Sequence, residues 1–141
     1  MADDAAIRHL LLTTRRIAVV GASDRPDRPS HGVFGFLLAC GYDAVPVNPV
    51  LAGRAIHGRM VVPTLDQAGP LDMVDVFRRS AEAGAVVDAA IRLRARSVWL
   101  QLGVIDEAAA ARARAAGLAV VMDRCPAIEW RRLSLPARVG G

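Results

Sequence analysis

Ile17-Ala18-Val19-Val20-Gly21-Ala22-Ser23-Asp24-Arg25-Pro26 is the stretch that decides the fold of this chain. A short apolar run rich in β-branched residues ends abruptly in a Gly-Ala-Ser turn, and a helix-like segment follows. This is how a parallel α/β sheet builds a cradle for phosphate. Gly21 lets the backbone come close to an anion, and the free N–H groups at the start of the next helix point at the same spot. A purely structural turn is the competing reading of these residues alone.

Working outward, the chain alternates strands and helices. Residues 3–14 read as an amphipathic helix opened by acids and closed by Arg15 and Arg16, as the helix dipole favours. A strand at 17–20 is followed by a helix that begins near Ser30 to Gly32 and runs to about Cys40, stopped by Gly41. The second strand, 44–47, ends in Asn48-Pro49. Residues 50–70 read as loop with one helical turn near 65–68. The third strand spans 73–77. The segment 80–94 has helical spacing, with Ala83, Val86, Val87, Ala90 and Ile91 on one face. The fourth strand spans 98–102, Asp106 caps an alanine-rich helix to Ala116, and the fifth strand spans 118–122. After Pro126 the expectation is an irregular tail, with Gly140-Gly141 fraying.

The expected fold is therefore α/β, a Rossmann-like three-layer sandwich with a five-stranded parallel sheet, in one domain over residues 1–141. The expected strand order is 3-2-1-4-5, with the site at the carboxyl ends of strands one and four.

Composition narrows the classes. The chain has 141 residues, 53% hydrophobic and 23% charged, which is globular and not disordered. No apolar run approaches the roughly 18–20 residues that span a bilayer. Asp3 and Asp4 precede only a short apolar patch, unlike a secretory signal, so a cytoplasmic protein is expected. Net charge is +4 and all 18 basic residues are arginine. They are scattered, and aromatics make up 4% of the chain, which argues against nucleic acid. Cys40 and Cys125 make neither a disulfide framework nor a zinc site.

The strand ends then decide the ligand. A dinucleotide fold for NAD has three spaced glycines after strand one and an acid at the end of strand two for the ribose. This chain has one glycine there, and strand two ends in Asn48-Pro49. That points toward a ribose bearing a phosphate, with an arginine to meet it.

Five motifs, in order, carry a resemblance. They are Val-Gly-Ala-Ser-Asp-Arg-Pro at 20–26, Pro-Val-Asn-Pro at 46–49, Asp-Met-Val-Asp-Val-Phe-Arg at 72–78, Val-Trp-Leu-Gln-Leu-Gly-Val at 98–104 and Val-Met-Asp-Arg-Cys-Pro-Ala-Ile-Glu at 121–129. Over about residues 10–133 the chain resembles the small single-domain bacterial CoA-binding proteins. These are similar to the CoA-binding domain of the succinyl-CoA synthetase α subunit. The resemblance implies that coenzyme A binds at the strand ends. Gly21, Ala22 and Ser23 would cradle the pyrophosphate, and Arg25 and Pro26 would shape the next loop. Val47, Asn48 and Pro49 would flank the adenosine. Phe77 and Arg78 would sit beside the nucleotide, and Gln101 near the pantetheine. The family often has lysine after the Asn-Pro pair. Here Val50 stands there, and Arg54 is the substitute if the loop curls back.

Other residues carry two readings each. His31, at the expected helix start, is within reach of phosphate, whereas His9 and His57 read as surface. Trp99 reads as packing and Asp75 as structural, paired to an arginine. Of Arg78 and Arg79, at least one reads as solvated. Cys125 is either a thiol facing the cofactor or a small buried hydrophobe. No nucleophile–base–orienter set is visible, and the phosphorylated histidine of the synthetases lies in a second domain. The expectation is a CoA or acyl-CoA carrier, sensor or accessory module, not an enzyme by itself, with no nucleic acid or membrane partner. A homo-oligomer or a larger acyl-CoA enzyme is left open as protein partner. The alternatives are an NAD(H)-binding oxidoreductase or redox sensor, and a scaffold with a vestigial site.

Overall fold

The run Arg16–Val20 is a strand, β1, in a five-stranded parallel sheet. A computed structural model describes residues 2–136. The other sheet strands are β2 (Asp43–Val47), β5 (Met73–Val76), β6 (Ser97–Leu100) and β7 (Ala119–Val121). Between β2 and β5 lie a small antiparallel hairpin, β3 (Ala55–Ile56) and β4 (Arg59–Met60), and a 3-10 turn at Leu65–Ala68. Five helices complete the described chain: α1 (Asp4–Thr13), α2 (Pro29–Ala39), α3 (Ser80–Arg92), α4 (Glu107–Ala115) and α5 (Pro126–Arg132).

Helices cover both faces of the sheet. On one face Ala18, Val74, Val76, Val98, Leu100 and Val120 pack against Ala83, Val87 and Ala90 of α3 and Ala109, Ala110 and Ala113 of α4. On the other, Ile17, Val19, Met73, Trp99 and Val121 meet Ile7 and Leu11 of α1, Phe34 and Leu37 of α2, and Trp130 of α5. Successive strand residues alternate between the two clusters, as the pleat requires.

The order across the sheet is β2-β1-β5-β6-β7. β1 has the chain winding outward on either side, as a Rossmann-like sheet should. One placement differs from the 3-2-1-4-5 expectation. Met73–Val76 lies beside β1, in register from Ile17↔Met73 to Val20↔Val76, rather than outside β2. The reason is Pro46 in β2. Proline cannot donate to a ladder and is confined to edge strands. Here β2 is the edge of the sheet, and the Pro46 carbonyl accepts from Val62 N–H at 3.0 Å on its outer side. Met73, Val74 and Val76 are completely buried, as an interior strand demands.

Asp3 caps α1, accepting from Ala6 N at 2.8 Å, but no basic residue lies in its last turn. Arg16 belongs to β1 instead, where its guanidinium pairs with Asp43 at 3.1 Å and reaches the carbonyls of Ala68 and Pro70. Asp106 caps α4 as expected, accepting from Ala109 N at 2.9 Å. The expectation of an irregular stretch after Pro126 is corrected. That stretch is α5, with proline in its first turn, and its Trp130 packs edge-on against Tyr42 at 5.8 Å. The stretch 50–70, expected as loop with one helical turn, has that turn at Leu65–Ala68 and also holds the β3–β4 hairpin. Gly140-Gly141 lies outside the described residues.

Candidate functional site

The chain leaves β1 toward α2 on one face and leaves β5 toward α3 on the other. Neighbouring strands whose connections part in opposite directions open a crevice at their carboxyl ends. That crevice opens between β1 and β5, and the cavity beside it also reaches Gln101 and Leu102 after β6, so the carboxyl ends of strands one and four both border it. Gly21 and Phe77 form its floor. Gly21 N–H donates to the Val47 carbonyl at 2.9 Å, and Phe77 N–H donates to that of Val20 at 2.8 Å. Gly21 has φ +90°, and a Cβ there would collide with the Phe77 carbonyl oxygen. Only glycine lets the two strand ends approach so closely.

Two cavities flank this floor. The larger, about 730 Å³, lies on the α2 side, bordered by Ser23, Arg25, Arg28, Ser30, Phe77 and Gln101 among others. The smaller, about 240 Å³, lies toward α3 and is mostly apolar, with Val47, Pro49, Pro63, Leu65 and Val86 on its walls. Gly21 and Arg78 border both. The N-terminus of α2 opens into the larger cavity. Its N-cap, Arg28, supplies no side-chain cap, so the first turn presents its positive end without a side-chain acceptor.

Of the residues singled out in the sequence, Gly21, Ser23, Arg25, Asn48, Phe77, Arg78 and Gln101 border the larger cavity, and Val47 and Pro49 the smaller. Four do not border either. The Ala22 side chain is completely buried in the core. Pro26 is exposed on the loop. His31 stacks on His57, ring centroids 4.2 Å apart, and its carbonyl is 3.0 Å from His57 Nε2. Arg54 pairs with Asp24 at 3.4 Å, and Asp24 itself borders the cavity. So the loop does curl back toward the site, with an aspartate between Arg54 and the cavity. His57 is thus exposed yet engaged.

Asn48 ties the walls together. Its Nδ2 donates to the Ala22 carbonyl at 2.9 Å and its Oδ1 accepts from Val50 N–H at 2.9 Å. Ser23 Oγ likewise accepts from Arg25 N–H at 3.1 Å. Arg25 pairs with Asp27 at 3.2 Å, and Arg78 with Glu82 at 3.4 Å. Glu82 is held below the usual carboxylate range, first by its hydrogen bond with Arg79 and then by the charges of Arg79 and Arg78. Arg79 is the solvated member of that pair, at 86% exposure. Arg28 was not singled out. It borders the cavity and has no ion-pair partner among the described residues. The signal was its place immediately before Pro29, since proline favours the first turn of a helix.

Trp99 is completely buried, and its Nε1–H donates to the Arg124 carbonyl at 2.8 Å, as packing predicts. The arginine partner expected for Asp75 is absent among the described residues: both carboxyl oxygens are enclosed without a hydrogen bond. The side chain lies in the sheet interior, where an arginine would have to bury its own charge. Cys125 is 5% exposed and precedes Pro126 at the start of α5, which fits a packed thiol. Native protein treated with CoA disulfide should therefore show no adduct on Cys125 by intact mass, and a rapid, reductant-reversible adduct there would overturn this.

Residues 15–131 match the family model described as CoA binding domain. The chain belongs to this CoA-binding family. Its curated relatives include the Bacillus subtilis protein YneT, 39% identical over 121 residues, which spans 86% of this chain and 89% of that protein. Two solved structures share the whole architecture. A hypothetical protein from Pyrococcus horikoshii is 35% identical with a TM-score of 0.88, covering 94% of this chain and 93% of that one. A Thermus thermophilus protein is 36% identical with a TM-score of 0.88, covering 94% and 99%. The family assignment agrees with the motifs at the strand ends. Among the described residues no helix is long and apolar enough to cross a membrane, and no cluster of three or more His, Cys, Asp or Glu side chains could hold a metal ion.

Proposed function

We propose that this protein binds coenzyme A or an acyl-CoA along the β1–β5 crevice. In this reading it is a cytoplasmic carrier, sensor or accessory module without a catalytic centre of its own. The observation that carries the reading is the pair of cavities that both border Gly21 and Arg78. A long ligand with a flat aromatic base at one end and a polar arm at the other fits that division. The base would lie among Val47, Pro49, Leu65 and Val86. The pyrophosphate would sit over Gly21 at the bare start of α2, where backbone N–H groups and the helix dipole favour an anion. The arm would run past Phe77 and Gln101 toward Leu102 and Val104.

Support for a non-catalytic role comes from the cavity's polar groups. The Ser23 hydroxyl is engaged by the loop backbone, and Asp24 faces Arg54. Neither is paired with a base that would activate it.

Calorimetric titration with CoA, dephospho-CoA, acetyl-CoA and NADH tests the reading. β2 ends in an asparagine amide bonded to Ala22 and Val50, with no carboxylate to accept from a free ribose. CoA is expected to bind at least about tenfold more tightly than NADH, the value of roughly one charge-assisted contact. Tighter binding of NADH would sink the CoA reading in favour of the oxidoreductase.

A further inference from the structure

Among the described residues three buried side-chain atoms have no hydrogen bond: Asp75 Oδ1, Asp75 Oδ2 and Gln101 Oε1. Asp75 is 0% exposed and Gln101 7%. Asp75 lies in β5, and Gln101 immediately follows the neighbouring strand β6. Asp75 pairs in register with Trp99, so Gln101, two residues on, is its diagonal neighbour. Met73 and Trp99 belong to the same core cluster, which puts Asp75 and Gln101 on that same face of the sheet. In parallel strands about 4.8 Å apart, a residue and the one two positions beyond its partner point to the same face, so the longer Gln101 side chain can lean toward Asp75. Gln101 borders the larger cavity.

Three orphaned acceptors are costly, because a buried polar group without a partner carries its full desolvation penalty. One proton removes most of that cost. A carboxylic acid has one O–H to donate, and the Gln101 carbonyl oxygen is a free acceptor.

We propose that Asp75 is a positioning residue for the ligand site: its carboxyl O–H donates to Gln101 Oε1 and turns the Gln101 NH2 group into the cavity to meet a ligand carbonyl oxygen. The pantetheine arm of CoA carries two amide carbonyls of the required kind, so the identity of the ligand atom rests on the CoA reading, whereas the Asp75–Gln101 bond does not. Burial agrees with a protonated Asp75, displacing its pKa well upward with no other cause. The charged and titratable groups on the covering elements leave it so. These are Asp4, Arg8 and His9 on α1, His31 on α2 with Cys40 at its end, and Glu129, Arg131 and Arg132 on α5, preceded by Arg124 and Cys125. Glu129 is itself tied to Arg124 at 2.9 Å and Arg132 at 2.8 Å. The reversed amide, with an ionised Asp75 accepting from Nε2, would present an acceptor to the ligand instead.

The test begins without ligand. Unfolding of wild type and Asp75→Asn is compared across pH. A raised pKa in the folded state means that the neutral acid stabilises fully below the unfolded value and that this contribution is lost as pH rises toward the folded value. From about pH 4 upward the wild type should lose ground to Asp75→Asn by roughly tenfold in the unfolding equilibrium per pH unit. The side-chain amide resonance of Gln101, assigned with Gln101→Leu, should move in Asp75→Leu and stay near its wild-type position in Asp75→Asn, whose amide also donates. CoA affinity should fall about 3- to 10-fold in Asp75→Leu, the value of one neutral hydrogen bond, and recover in Asp75→Asn. A pH-independent difference between wild type and Asp75→Asn, or a Gln101 resonance indifferent to Asp75→Leu, would overturn the proposal. If the two residues respond together but wild type binds no CoA, the bond stands and the CoA reading fails.

Discussion

Gly21→Val is expected to lower the melting temperature by about 10 °C or more and to abolish CoA binding. At φ +90° any L side chain is strained, by roughly 1–2 kcal/mol, and a β-branched one more so. The added Cβ would also collide with the Phe77 carbonyl oxygen and lie 3.0 Å from its carbon. Those atoms are backbone, held by the Phe77 N–H bond to Val20, so they cannot swing aside. The two effects together should exceed about 3 kcal/mol, a large part of a typical stability of roughly 5–15 kcal/mol. A domain of this size loses roughly 2–8 °C per kcal/mol. The sequence alone suggests that the side chain would block the ligand; the structure adds a collision with the end of β5, so the variant is expected to push β1 and β5 apart as well. Gly117→Ala is the control, since its φ is +92° but nothing lies within 4 Å of the added carbon. It should cost only about 1 kcal/mol and leave binding intact. Melting curves and calorimetry decide it. A Gly21→Val protein that melts like wild type, or binds CoA normally, would show that the site lies elsewhere.

The second large effect concerns the 3′-phosphate of CoA. One of Arg78→Ala, Arg54→Ala or Arg25→Ala is expected to weaken CoA by roughly 10- to 150-fold while leaving dephospho-CoA nearly unchanged. The figure follows from about 1.5–3 kcal/mol for a charge-assisted hydrogen bond. Arg78 is the first choice. It borders both cavities and is 38% exposed, against 70% for Arg54 and 62% for Arg25. A less exposed guanidinium at a strand end loses less freedom on binding. Each of the three already faces an acid, so each must exchange Glu82, Asp24 or Asp27 for the phosphate. Arg28 has no such partner among the described residues and stands at the start of α2. Arg28→Ala should weaken CoA and dephospho-CoA alike, because both carry the pyrophosphate. Equal affinity of the wild type for the two ligands would show that no arginine reads the 3′-phosphate.

Much of this was legible in the residues. β1 and its turn, the α3 stripe of Ala83, Val87 and Ala90, and the Asp106 cap are local patterns: a period, a cap and a stop lie within one stretch of chain. The family and the strand-end motifs are local too. Seven of the candidate residues do border the larger cavity. Shorter elements were harder. α5 has seven residues, under two turns, too few for a period to stand out, and its stability comes from Trp130 packing on Tyr42. The two-residue strands of the hairpin form because Val61 and Val62 return to bond Arg54 and Pro46.

The sequence by itself determined the strand–helix alternation, the glycine at the cradle and the missing ribose acid, since each depends on residues adjacent in the chain. Only the tertiary structure decided which strand stands beside β1. Pro46 bars β2 from the interior, but that matters only once the sheet's edges are known. Folding also pairs Arg54 with Asp24, leaves Arg28 without an acid among the described residues, and sets Asp75 and Gln101 at neighbouring strands. Such pairings join residues tens of positions apart, and the free energy that selects them is the desolvation of groups that are all equally solvated in the unfolded chain.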